Sequence, residues 1–274
     1  MGPARVAGRR VGQFPDGSES ASIYMNSGTC YDLMKNPTKA IEVYNEGISK
    51  YPTVSLLYFN KAITLFNSGN VEEAMTTTES AIRYNPYHAS SHNILALSTA
   101  NSNKVYSLLA GLYFLAAEPL GKRASGRLKV VEELIGSNVK KDGEKKVNIS
   151  MPAGDKIANK PNDFSSVELM MSMSAALSYS DSYKDETNIE QMKRNLGSIF
   201  GVLSETTAAK GGKKAGDKKA GFGWEFYAPF FADLQKKDFL DTYCHIIYAS
   251  SEDDANTQWI KDNSCLKKLT TLLK

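Results

Sequence analysis

Three histidines, three cysteines and one lysine-glycine run are the residues with which this chain of 274 could do chemistry. His88 and His92 stand four apart, a spacing that can place two imidazoles on one helix face as part of a zinc site. No glutamate follows His88, so H-E-x-x-H is absent, and no third ligand stands nearby. His245 follows Cys244 directly. Adjacent residues on a helix point about 100° apart, so this pair is placed for packing rather than for nucleophile–base contact. Cys30, Cys244 and Cys265 keep no metal or redox spacing, and their odd number speaks against a disulfide framework. Cys30 is expected inside, among apolar helix positions. Gly211, Gly212, Lys213 and Lys214 do not spell G-x-x-x-x-G-K-[ST], and no apolar strand precedes them. The surrounding residues 207–223 read as an exposed, flexible Lys/Gly loop. Nothing resembles G-x-S-x-G, a dinucleotide glycine pattern or paired catalytic carboxylates. Glu72-Glu73 and Asp253-Asp254 fit the first turns of helices, where they offset the positive dipole end. The expectation is no catalytic residues, no metal and no cofactor. An enzyme would require a cleft near His245 lined by convergent polar side chains.

Length and composition set the frame for these residues. The chain has room for one large or two ordinary domains, and 42% apolar residues supply a core. A formal net charge of +3 makes no case for nucleic acid or an anionic membrane. No run of 18 apolar residues exists, so no transmembrane helix is expected. Residues 1–13 are basic and lack the apolar centre of a secretory signal, and read as a disordered or non-native N-terminus. Phe14-Pro15-Asp16 looks like the end of an earlier repeat, which points to a truncated or mis-started chain. The localisation expected from these residues is cytoplasmic as the sequence stands, and periplasmic or cell envelope if the N-terminus is truncated.

The organising signal is a repeat. Ala40 and Ala74, Gly47 and Ala81, Ile48 and Ile82, and Pro52 and Pro86 each stand 34 residues apart. Tyr24, Gly28 and Tyr31 share a helix face in the first unit, as Tyr58, Ala62 and Leu65 do in the second. Asn36-Pro37 and Gly69-Asn70 are the turns, and Tyr51-Pro52 and Asn85-Pro86 end the second helices. Small residues fall where paired helices cross. A third, degenerate unit is expected from His92, Leu95 and Ala96 on to Val105–Ala117. This pattern resembles the tetratricopeptide repeat family over roughly residues 14–120. The resemblance implies stacked antiparallel helical hairpins, and a binding scaffold rather than a catalyst.

The family's geometry puts the first helix of each hairpin on the inner surface. It thereby nominates Met25, Thr29, Phe59, Asn60, Ile63, Phe66, Asn93 and Leu97 as groove residues. Asn60 matches an asparagine that some members use to hold a peptide carboxylate. Met25, Ser90 and Ile94 stand where the basic partners of that clamp would be, so a carboxylate clamp is not expected. The groove is apolar and uncharged. Two occupants stay open: a partner protein, or another part of this chain.

The remainder reads as helical. Residues 122–136 form a helix suited to capping the repeat stack, giving a repeat domain over 14–136. Residues 137–163 read as a linker: Asn138–Glu144 as a turn, and Lys146–Met151 as a short strand by its alternation. Residues 164–274 form a helical C-terminal region. Ser165 and Glu168 fit a capping box, a second helix starts near Asn188, and an amphipathic helix closes the chain from Ala255. Between them Phe222, Trp224, Phe226, Tyr227, Phe230 and Phe231 crowd within ten residues. Repeats followed by a tail with such an aromatic stretch resemble exported repeat proteins of Bacteroides-type bacteria.

The fold class expected is all-α: a short helical-hairpin solenoid followed by a helical C-terminal region. The function expected is a non-catalytic protein–protein interaction scaffold that docks a peptide or partner segment in the repeat groove. The alternative is a structural component of a cell-envelope complex that contacts partners through the aromatic C-terminal hairpin.

Overall fold

The computed structural model describes residues 18–143, 146–150, 160–209 and 220–263. The expectations for the N-terminus, for most of the loop before Pro161, for the centre of the Lys/Gly segment and for Cys265 and the last turns lie outside these residues. The chain divides into two compact units, Met1–Ser98 and Thr99–Lys274. Both are helical. Among the described residues, no helix is long and apolar enough to cross a membrane.

The first unit is built from α1 (Ser18–Leu33), α2 (Pro37–Lys50), α3 (Ser55–Asn67), α4 (Val71–Tyr84) and α5 (Ala89–Thr99). The turn signals work as their chemistry requires. Asn36 caps α2 by accepting from the Lys39 amide at 3.1 Å, and Pro37 takes the first turn, where no amide is needed. Gly69, with φ of +82°, supplies the left-handed residue of the turn into α4. α1 packs on α2, and α3 on α4, as the 34-residue period demands. A Cβ on Gly28 would land inside the Tyr44 ring, and one on Gly47 would lie 2.7 Å from Tyr24 Cβ. Ala21, Ala40, Tyr44, Val54 and Leu57 form the core cluster around this crossing.

The boundary between units falls inside the stretch expected to form a third repeat. α6 (Lys104–Ala117) is the central helix of the second unit, buried on nearly every side from Val105 to Ala116. A helix apolar all round has no face to offer water and so takes the middle of a core. α7 (Lys122–Gly136) packs on it, with Gly111 facing Arg127 Cδ at the distance of 3.1 Å that an added Cβ would have. A hairpin follows, β1 (Val139–Asp142) with antiparallel β2 (Lys146–Ile149), Val139 opposite Ile149 and Asp142 opposite Lys146. The turn expected over Asn138–Glu144 is therefore partly strand. VKKD has one apolar residue, and its pairing comes from the neighbouring strand rather than from its own alternation.

α8 (Ser165–Leu177) and α9 (Asn188–Ala209) pack together. The capping box expected from Ser165 and Glu168 does not form. Ser165 donates its amide and hydroxyl to Asp163, at 3.0 and 2.6 Å, while Glu168 accepts from Asn138 Nδ2 at 3.0 Å. The box forms instead at α9: Thr187 N–H donates to Glu190 Oε2 at 2.8 Å, and Glu190 N–H to Thr187 Oγ1 at 3.3 Å. A π-helical turn, Gly223–Tyr227, leads into α10 (Ala228–Lys236), then α11 (Leu240–Ile247) and α12 (Asp254–Asp262). Pro229 is the second residue of α10, which runs on from the π-helical turn without a break, so the irregular turn stands where a proline removes one amide from the helical ladder.

Candidate functional site

The eight groove candidates all belong to the first unit. Met25, Phe59 and Asn93 occur at intervals of 34, as do Thr29, Ile63 and Leu97, so α1, α3 and α5 present equivalent positions. On α3, Phe59, Ile63 and Phe66 share one face by spacing and are half-buried, with half-buried Asn60 on the flank. Leu57, Ala62 and Leu65 of the same helix are fully interior. Met25 packs against the core cluster. Thr29 is exposed, with Oγ1 3.1 Å from the Tyr44 hydroxyl. Leu97 is 39% exposed, and Asn93 is half-buried. None of the eight is charged.

His88 and His92 are engaged by this unit's own turn. The Phe59 ring meets the His88 imidazole edge-on, with centroids 4.5 Å apart. His88 Nδ1 lies 2.8 Å from Ser91 Oγ, and His92 Nε2 lies 2.8 Å from the Pro86 carbonyl oxygen. A carbonyl only accepts, so His92 Nε2 carries the hydrogen. Burial pushes His92 down to about 3, against the opposing hydrogen bond to Pro86. Among the described residues, no group of three or more His, Cys, Asp or Glu is placed to hold a metal.

The second unit contains a cleft of about 1010 Å³ beside His245. One wall is α7, through Leu128, Lys129 and Glu132; the opposite wall is the capped start of α9, from Thr187 to Lys193. Asp241 and His245 of α11 and Tyr248 at its C-terminal cap line it, and Trp259 of α12 completes it. His245 stacks on Trp259, with ring centroids 3.5 Å apart and planes at 11°. Its Nδ1 lies 2.7 Å from Asn256 Oδ1, while Asn256 Nδ2 donates to the His245 carbonyl at 3.1 Å. Tyr248 donates to Glu132 Oε1 at 2.6 Å. Burial and that neighbouring carboxylate both hold the Tyr248 phenol well above its ordinary value. A second cavity, about 260 Å³, shares Glu132, Asn188 and Tyr248 with the first.

A cleft with polar walls beside His245 thus exists, yet the adjacent thiol gives it no nucleophile. Cys244 is buried, and burial raises its pKa so far that the reactive thiolate is suppressed. Cys30, expected inside, is exposed. It lies on the α1 side that also exposes Ile23 and Leu33, away from the Tyr44 crossing. Its apolar neighbours therefore marked an outward stripe.

Most of the aromatic run is interior, with Phe226 and Phe230 half-buried. Phe222, Trp224, Tyr227 and Phe231 are at most 7% exposed. Trp224 stacks on Phe164 at 4.7 Å, Phe231 on Phe200 at 4.7 Å, and Phe230 meets Tyr113 of α6 at 4.9 Å. Tyr243 donates to the Leu112 carbonyl at 2.8 Å. These rings bind α10 and α11 to α6 and α9.

The 34-residue spacing put the groove candidates in register, whereas the residues that build the cleft beside His245 share no spacing. Tyr248 and Glu132 are 116 positions apart, and no local pattern joins them. The T-x-x-E run at Thr187–Glu190 was a legible mark of one wall.

No curated protein matches the chain. Residues 21–52 and 56–88 each match the family model of the tetratricopeptide repeat, the two hairpins α1–α2 and α3–α4. Such repeats generally mediate protein–protein interaction. With its period, its crossing glycines and its paired hairpins in agreement, the first unit carries two tetratricopeptide repeats, over residues 21–52 and 56–88.

Proposed function

We propose that this protein is a non-catalytic interaction scaffold whose first unit docks a peptide or partner segment. The docking face runs over Met25 and Thr29 of α1, Phe59, Asn60, Ile63 and Phe66 of α3, and Asn93 and Leu97 of α5. The observation that carries the reading is α3: three half-buried apolar side chains stand on one face, on a helix whose other side is locked in the core. Half-buried rings on a rigid helix supply apolar contact at small ordering cost. With no charge among the eight, recognition rests on shape and apolar contact rather than on a terminal carboxylate.

The test is affinity capture with the full chain and with its Phe59→Ala and Phe66→Ala variants, followed by mass spectrometry. A protein retained by the parent and lost by both variants, at unchanged helical circular dichroism, supports the reading. The same set retained by all three chains overturns it.

A further inference from the structure

The face that each later repeat helix buries is left uncovered on α1. Ile23, Leu57 and Ser91 occupy equivalent positions at steps of 34, as do Cys30, Thr64 and Ser98. Leu57, Thr64, Ser91 and Ser98 are all buried. Leu57 packs on α2, where a Cβ on Gly47 would lie 3.0 Å from its Cδ2. Ile23 is instead 68% exposed, and Cys30 is exposed one face-length on. The stripe continues to Met34, 65% exposed, whose amide bonds to the Cys30 carbonyl at 3.0 Å and so extends the helical ladder. Exposed Leu33 flanks it. A contiguous apolar stripe in a position that the next repeat covers with a helix is a contact surface for a helix.

The spacing of the stripe indicates which helix. Ile23, Ser27, Cys30 and Met34 follow at steps of four, three and four, which read the same in either direction. An antiparallel copy of α1 therefore sets Ile23 against Met34 of the copy, and Ser27 against Cys30 of the copy. Small residues meet where the backbones approach most closely, and large ones fill both ends. Steps of four and three also make the seam along which two helices pack at a shallow left-handed crossing. A two-fold axis brings each residue near its own kind, so a charged stripe would repel itself. None of the four residues, nor Leu33, is charged.

We propose that this chain pairs with a second copy of itself through α1, antiparallel about a two-fold axis between Ser27 and Cys30. One helix from each copy makes a small interface, which exchanges with monomer. The stripe is distinct from the face of Phe59, Ile63 and Phe66, and the pairing does not depend on partner docking there.

The experiment is sedimentation velocity of the full chain at about 2 to 200 µM, the range in which a weak pair assembles, with crosslinking by a short bismaleimide. The expected result is monomer at the low end, dimer at the high end, and a crosslinked dimer that Cys30→Ser abolishes. Serine keeps the centre small, so Cys30→Ser sediments like the parent. Ile23→Glu weakens pairing by at least about tenfold. Adding Met34→Lys to it restores pairing, because the antiparallel arrangement sets the two new charges opposite each other. Circular dichroism checks each fold, and Phe59→Ala leaves pairing unchanged. Monomer at every concentration overturns the proposal. So does a dimer indifferent to Ile23→Glu, or a crosslink that survives Cys30→Ser, since either would place the interface elsewhere. Failure of Met34→Lys to restore pairing overturns the antiparallel arrangement. A Cys30 that resists maleimide in the dilute monomer also overturns the proposal, since the chain itself would then cover the stripe.

Discussion

The side-chain oxygen of Asn162 accepts a hydrogen bond from the amide of Gly223, 2.7 Å away and 61 positions along the chain. The same residue donates its own amide to the Ala220 carbonyl at 2.8 Å, and its carbonyl accepts from Asn103 Nδ2 at 2.7 Å. Asn103 is also the N-cap of α6, accepting from the Tyr106 amide at 3.0 Å. One buried asparagine therefore ties the start of the central helix to the start of the aromatic run. Its φ of +60° is a conformation that asparagine tolerates better than most residues.

Asn162→Ala leaves the buried Gly223 amide unbonded, at a cost of about 1–3 kcal/mol. It also forces alanine into the left-handed region, for about 1 kcal/mol more. The expected loss is about 2–4 kcal/mol in urea denaturation. Asn162→Gly keeps the backbone freedom and should lose only the first part. An unchanged midpoint in Asn162→Ala would refute the assigned role. Trp224, whose Nε1 donates to the Asp163 carbonyl at 2.9 Å, provides a local fluorescence probe of the same junction.

At the repeat crossing, Tyr44 occupies the space a Cβ on Gly28 would need. Gly28→Ala should destabilise the first unit by about 1–3 kcal/mol through overpacking. Tyr44→Leu alone removes a buried ring and its contact with Thr29. Combined, the two changes relieve the clash, so the double variant should cost at least about 1 kcal/mol less than the sum of the singles. Denaturation midpoints of the four chains close this cycle. Strict additivity would show that the two residues do not press on each other.

These two sites differ in how far the amino-acid pattern discloses them. The Gly28–Tyr44 crossing repeats with a fixed period, so small and aromatic residues announce it in line. Asn162 and Gly223 have no such rhythm, because their bond depends on how the second unit folds over itself. The same difference explains Ser165 and Glu168, which fit a capping box by spacing. There, Asp163 reached Ser165 first, and Asn138 drew Glu168 into a buried contact. Cys30 fails for another reason. Periodicity identifies an apolar stripe but not whether that stripe meets a neighbour. The candidate docking face was legible because it follows from the repeat. The cleft was not, since α7, α9, α11 and α12 each contribute a few polar residues that look like ordinary solvated positions.

His92 gives the first unit a built-in dependence on pH. Its imidazole is fully buried, and burial holds its folded pKa down at about 3, while in the unfolded chain it titrates near about 6.5. Between these values the unfolded chain binds the proton and the folded one does not. Stability therefore falls as pH drops through about 6.5, by up to about 1.4 kcal/mol per unit, and the loss levels off only near the folded pKa. His92→Gln keeps a donor for the Pro86 carbonyl and removes the titration. Urea midpoints at pH 7, 6 and 5 should fall more steeply for the parent chain than for His92→Gln. The difference should reach about 2 kcal/mol by pH 5. Parallel slopes in the two chains would mean that His92 is protonated in the folded state, and that the buried neutral imidazole donating to Pro86 is the wrong species.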